Sequence, residues 1–176
     1  MTENNVLNKN KTSESIKLLT VSAVLAALCY VLTAYLHVPT NNGITHVGDG
    51  IIFLAASMLP LPYAAAVGAV GAGLADLLSG YAVWMPATLV IKAVTACFFS
   101  RKGEMIINVR NIIALVPALL LCAGGYTVYE ALVIDDWKTA VVAIPSYCVQ
   151  IGASTILYIL LGLSLDRINF KKKFLG

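Results

Sequence analysis

Residues 64–92 read AAAVGAVGAGLADLLSGYAVWMPATLVIK, an apolar run broken only by the ionisable side chains Asp76 and Lys92. Glu130 interrupts a later run of the same kind. A charged group at the centre of a bilayer costs about 2.5–3.5 kcal/mol on insertion scales, so such groups turn toward a cavity or a partner. Three of them in a chain this short point to a polar pocket buried in a membrane bundle.

Composition agrees with that reading. Only 12% of the 176 residues are charged and 59% are apolar, whereas a soluble domain carries roughly 25% charge. The net charge of +3 is no nucleic-acid signal, because the basic residues cluster at the edges of apolar runs; lipid is the expected surrounding. Cys29, Cys97, Cys122 and Cys148 all fall inside apolar runs without metal-ligand spacing, and read as small buried apolar side chains. Neither a metal nor a cofactor is expected. Residues 1–15 are polar and read as a disordered terminus, 16–167 as one membrane domain, and 168–176 as a basic tail. The first apolar run is too long for a signal peptide and lacks its cleavage site, so it is expected to be retained.

A crossing helix needs about 20 mostly apolar residues. The fold class expected is all-α, a bundle of six transmembrane helices over 18–36, 50–59, 64–79, 84–100, 112–134 and 140–165, the second being short. Lys9, Lys11 and Lys17 precede the first span, Arg101, Lys102 and Arg110 follow the fourth, and Arg167, Lys171, Lys172 and Lys173 follow the sixth. Only Lys138 lies in loops of the other side. The positive-inside rule therefore places both termini in the cytoplasm.

Direction gives depth. Asp76 ends an outward span, and Lys92 lies ~12 Å into the next at 1.5 Å per residue. Glu130 falls in the outer half, as do Tyr126, Tyr147 and Gln150. Ala64, Gly68, Ala72 and Asp76 recur every fourth residue, a small-residue stripe of the kind that packs helices closely and turns Asp76 inward. Tyr126 and Glu130 share a face, as do Tyr147 and Gln150. Gly124, Gly125 and Pro145 read as helix breaks of the sort that shape transporter sites. Each feature also has a plain structural reading. Lys92 with Asp76 or Glu130 can be an ion pair that only locks the bundle, and Trp84, Trp137, Tyr126 and Tyr129 can be interfacial anchors. The loop 37–49, HVPTNNGITHVGD, holds Asn41, Asn42, Thr45, His46 and Asp49 on the pocket side; it is either a solvated linker or a lid over a bound solute. His37 and His46 lack metal spacing.

The chain has no Walker-type segment, zinc motif or nucleophile elbow, so an enzyme is not expected. A binder that takes its energy from another protein fits best. The six-span layout resembles the substrate-binding S components of energy-coupling factor (ECF) transporters, prokaryotic vitamin importers. Ala23-x-x-x-Ala27 is similar to the alanine motif through which that family docks on its coupling subunit. HVGDGIIFLAASMLP at 46–60 and GAGLADLLSGYAVWMPATLVIK at 71–92 resemble the subgroup for pyridoxine-type or hydroxymethylpyrimidine-type compounds. That resemblance implies outer capture of a vitamin in a prokaryotic plasma membrane. It also implies inward release when the protein topples on a transmembrane coupling subunit driven by two cytoplasmic ATPases. Asp49, Asp76, Trp84 and Lys92 lie within the matching stretch, while Tyr126, Glu130, Tyr147 and Gln150 are inferred from depth and spacing. The main rival is a stand-alone ion-coupled transporter, which needs polar groups in both membrane halves; a scaffold would need no pocket.

Overall fold

Four helical stretches among the described residues are long and apolar enough to cross a bilayer: Thr12–Ala34, Leu61–Leu78, Val109–Ile134 and Trp137–Arg167. The computed structural model describes residues 3–40 and 43–175, with side chains over 12–39 and 45–175. Helix α1 (Glu3–Ala34) leads into a hairpin of β1 (His37–Thr40) and β2 (Gly43–His46). The strands pair antiparallel, His37 opposite His46 and Thr40 opposite Gly43. Then come α2 (Asp49–Met58), α3 (Leu61–Leu78), a 3-10 turn at Ala82–Trp84, α4 (Met85–Thr95) and a second 3-10 turn at Ala96–Phe98. The remaining helices are α5 (Val109–Ile113), α6 (Leu115–Ile134), α7 (Trp137–Val142), α8 (Ile144–Arg167) and α9 (Phe170–Phe174). Helical backbone thus runs back through most of the polar segment 1–15.

Two of the expected six spans take a different form. Helix α2 has ten residues, about 15 Å at 1.5 Å per residue, and every one of them is buried. It packs among α1, α3 and α8 and is shorter than the about 20 residues of a full-length crossing helix. The fourth element is likewise a shorter apolar helix, Ala82–Phe98. Within the segment 37–49, the described residues 37–40 and 43–46 pair as strands.

Small residues set the helix spacing. A Cβ at Gly71 would lie 2.8 Å from Ala26 O and 2.8 Å from Cys29 Cβ, so α1 and α3 touch through backbone. At Gly68 it would lie 3.1 Å from Lys92 O, which brings α4 equally close. Ala64, Gly68, Ala72 and Asp76 are all buried, as the four-residue stripe requires. Gly124 and Gly125, expected to break their helix, leave α6 continuous from Leu115 to Ile134. Gly125 makes room for Ile91, whose Cδ1 would sit 2.9 Å from an added Cβ. Pro145 does not interrupt α8 but stands in its first turn, where its missing N–H costs nothing.

Candidate functional site

The buried polar groups fall into layers because three helices keep register with one another. Gly68 of α3, Lys92 of α4 and Cys122 of α6 lie at one depth: Gly68 abuts Lys92 O, and Lys92 Nζ is 3.9 Å from Cys122 Sγ. Asp76 and Glu130 each stand eight residues beyond that level, about 12 Å along a helix axis. Lys92 pairs with neither, so the structural alternative of a Lys92 ion pair with Asp76 or Glu130 is not what forms. Its partner is Asp49, in the first turn of α2, whose oxygens lie 2.8 and 3.0 Å from Nζ. Gln150 of α8 donates from Nε2 to Asp49 Oδ2 at 2.8 Å. Both charged side chains are about 2% exposed, and the charge-assisted bonds offset part of their desolvation.

One turn farther out the lining becomes aromatic. The Tyr126 ring lies 5.0 Å from Lys92 Nζ, within cation–π range. Tyr147 stacks on Tyr126 with centroids 5.5 Å apart and planes at 23°. Trp84 meets Tyr126 edge-on at 6.4 Å and Tyr129 at 5.9 Å. Tyr147 Oη donates to Glu130 Oε2 at 2.9 Å, tying α8 to α6. Tyr126 Oη and Thr88 Oγ1 are 2.8 Å apart, and Thr88 also faces Asp76. Glu130 Oε1 and Asp76 Oδ2 are buried with no hydrogen-bond partner.

The hairpin packs against α1 and α8. His46 is buried, accepts from Gly48 N–H through Nδ1 at 3.2 Å, and offers its carbonyl to Ser154 Oγ of α8 at 3.5 Å. Burial holds its imidazole below the ordinary 6.5, at about 4, so the ring is neutral and Nδ1 free to accept. Gly48 lets this segment pack tightly on α1, because a Cβ there would force Thr33 Oγ1 to shift and would lie 3.2 Å from Cys29 O. Thr45 pairs in register with Val38; Asn41 and Asn42 lie outside the described residues. Ala23 and Ala27 are exposed on α1, turned away from the buried Leu25 and Cys29.

A family model described as the ECF-type riboflavin transporter S component matches residues 13–167. The chain belongs to that family. It is a substrate-binding subunit of an ECF vitamin transporter, a membrane protein that works with an energy-coupling module and is not an enzyme. No curated protein matches the chain.

In this S component, seven of the eight named side chains form one connected set: Asp49, Lys92, Gln150, Tyr126, Trp84, Tyr147 and Glu130. Asp76 adjoins it through Thr88. Sequence reasoning missed Thr88 and Cys122, which carry no charge; their four-residue spacing from Lys92 and Tyr126 respectively was the available signal. It also missed a polar cluster at the opposite end. Tyr158 Oη lies 2.9 Å from Ser57 Oγ and 3.1 Å from Ile106 O. Asn111 accepts from Ser100 N–H and donates to the carbonyls of Ser100 and Ile106. Asp166 accepts from the amides of Ile106 and Ile107 at 2.8 and 3.0 Å. Lys171 donates to the carbonyls of Ser57 and Gly103. That end is closed by a hydrogen-bonded plug, not by apolar packing alone.

Proposed function

We propose that this S component captures a single-ring heteroaromatic vitamin, of the pyridoxine or hydroxymethylpyrimidine type, against Trp84, Tyr126, Tyr147, Glu130 and Asp76. The Lys92–Asp49–Gln150 cluster forms the base of that site. One observation carries the reading: two buried carboxylate oxygens lack donors beside a set of packed aromatic rings. A buried acceptor left unpaired costs about 1–3 kcal/mol. A ligand bearing hydroxyl or amino donors relieves that cost while its ring packs on Tyr and Trp faces. Pyridoxine and hydroxymethylpyrimidine carry such donors on one ring. Riboflavin, named in the description of the matching family, combines a fused ring with a polyhydroxyl chain and is the rival ligand.

The transport cycle follows from the same reading. Six spans with cytoplasmic termini present the site outward, and the hairpin from His37 to His46, with Asn41, Asn42 and Thr45, acts as its lid. The exposed Ala23 and Ala27 receive the transmembrane coupling subunit in a prokaryotic plasma membrane. Two cytoplasmic ATPases then drive toppling and inward release. Thermal shift of the purified chain with pyridoxine, pyridoxal, hydroxymethylpyrimidine and riboflavin tests the substrate. Stabilisation by a single-ring compound supports it; response to riboflavin alone contradicts the single-ring reading, and response to none contradicts the site.

A further inference from the structure

Charge around the aromatic layer is lopsided. Asp49 already neutralises Lys92, with carboxylate oxygens 2.8 and 3.0 Å from Nζ, and takes a further bond from Gln150. Among the described residues, Lys92 and Lys138 are the basic side chains at this end, and Lys138 is exposed on α7. Against them stand Glu130 and Asp76, 0% and 6% exposed, each with a carboxylate oxygen that has no donor. Tyr147 already donates to the other Glu130 oxygen. Asp135 and Asp136 add acids just beyond α6.

Backbone amides make anion sites where side chains do not, because the first turn of a helix attracts negative charge. Three helices begin at this end, α2, α4 and α8. Amides in each opening turn are already engaged. Gly50 and Ile51 N–H donate to Val47 O and Gly48 O at 3.1 and 3.0 Å, and Ser146 and Tyr147 N–H donate to Ala143 O at 3.0 and 3.4 Å. Trp84 N–H donates to Tyr81 O at 2.9 Å, and Met85 N–H to Ala82 O. Pro86 and Pro145 have no N–H to offer. The first turn of α2 also holds Asp49 itself.

We infer that the vitamin site is a charge filter: it admits the free hydroxymethyl or amino compound and refuses the phosphate monoester of the same compound. The inference rests on the single-ring reading above for the identity of the ring, and on the arrangement of charge for the refusal. Hydroxyl and amino donors find Glu130 Oε1 and Asp76 Oδ2. A phosphate group finds carboxylates, a lysine already paired and amides already bonded. Rejecting a close relative through unmatched charge is specificity by repulsion. Asp76 and Glu130 are the residues that discriminate.

Calorimetric titration of the purified full chain tests this with matched compounds. Pyridoxine and hydroxymethylpyrimidine are each compared with their phosphate monoester and with a neutral carbamate ester of the same hydroxymethyl group, which controls for bulk. The phosphates should bind about a hundredfold more weakly than the parent compounds, and the carbamates more tightly than the phosphates. In Asp76→Asn/Glu130→Gln the parent compounds should weaken and the phosphates should not, narrowing the gap about tenfold. Riboflavin and its phosphate monoester form a third pair; if the single-ring compounds fail to bind and this pair responds, the single-ring reading falls and the filter is still tested. Any responding pair in which phosphate and parent bind alike overturns the proposal. Equal rejection of carbamate and phosphate assigns the selection to bulk and overturns it too, as does an unchanged gap in the folded double variant. Silence from every pair removes the site and the filter with it. The comparison within the unaltered chain decides the matter even where the double variant fails to fold.

Discussion

The two ends of the bundle are both polar, yet they are built on opposite terms. At the end bearing α9, Asp166 uses both carboxylate oxygens on backbone amides, and Asn111 uses its amide oxygen and nitrogen on Ser100 and Ile106. At the other end, Glu130 and Asp76 each keep a buried oxygen with no partner. Satisfied polar groups stabilise and close a structure; unsatisfied ones oppose folding and persist where something else supplies the donor. The contrast separates a plug from a binding site more sharply than hydropathy does.

Variants at the two ends should therefore fail differently. Lys92→Met has the largest expected effect, because it strands the Asp49 charge: stability should fall by roughly 3–5 kcal/mol, with loss of vitamin binding. Adding Asp49→Asn should recover much of the stability and none of the binding, as read by thermal unfolding and a ligand titration. If Lys92→Met melts like the unaltered protein, the pair is not the base of the site. Asp166→Ala comes next. It leaves the amides of Ile106 and Ile107 without an acceptor, costing about 1–3 kcal/mol, and should leave vitamin affinity unchanged. A drop in affinity would put the plug and the site in one cooperative unit.

Glu130→Gln should do the reverse. Stability should change less than in Lys92→Met, because the amide oxygen still accepts from Tyr147, while vitamin affinity falls about tenfold, equivalent to roughly 1.4 kcal/mol. Calorimetric titration distinguishes this from a purely structural Glu130–Tyr147 bond. The smallest effect is expected at the hairpin. His46 titrates near 4 when folded and at the ordinary 6.5 when exposed, so the folded state binds fewer protons between those values. Its contribution is complete above pH 6.5 and is lost as pH falls toward 4. Backbone hydrogen exchange over 45–48, corrected for intrinsic rates, should show progressively weaker protection across that window. His46→Ala should flatten the profile, and a pH-independent opening in the unaltered chain would contradict the neutral, buried imidazole.

Much of this was legible in the sequence, unevenly. Asp76, Lys92 and Glu130 declared a buried polar region because charge inside an apolar run is costly unless it meets a cavity or a partner. The stripe at Ala64, Gly68 and Ala72 gave the α3 contact face. What the sequence could not convey was register between helices. Only the Lys92–Asp49 contact itself shows which carboxylate meets the lysine, while Asp76 and Glu130 stand eight residues, about 12 Å along a helix axis, from Gly68 and Cys122. The hairpin was hidden because HVPTNNGITH lacks a clean two-residue alternation. The plug was hidden because Asn111, Tyr158 and Asp166 sit near span ends, where polar residues are ordinary.

The central claim is that the vitamin lies against the aromatic layer around Trp84. The chain has two tryptophans, so Trp137→Phe leaves Trp84 as the sole indole reporter. Titrating that variant with pyridoxine and hydroxymethylpyrimidine should give saturable quenching of Trp84, lost when Glu130→Gln is added at the same ligand concentrations. Undisturbed Trp84 emission, under conditions where binding is independently measured, would contradict that placement.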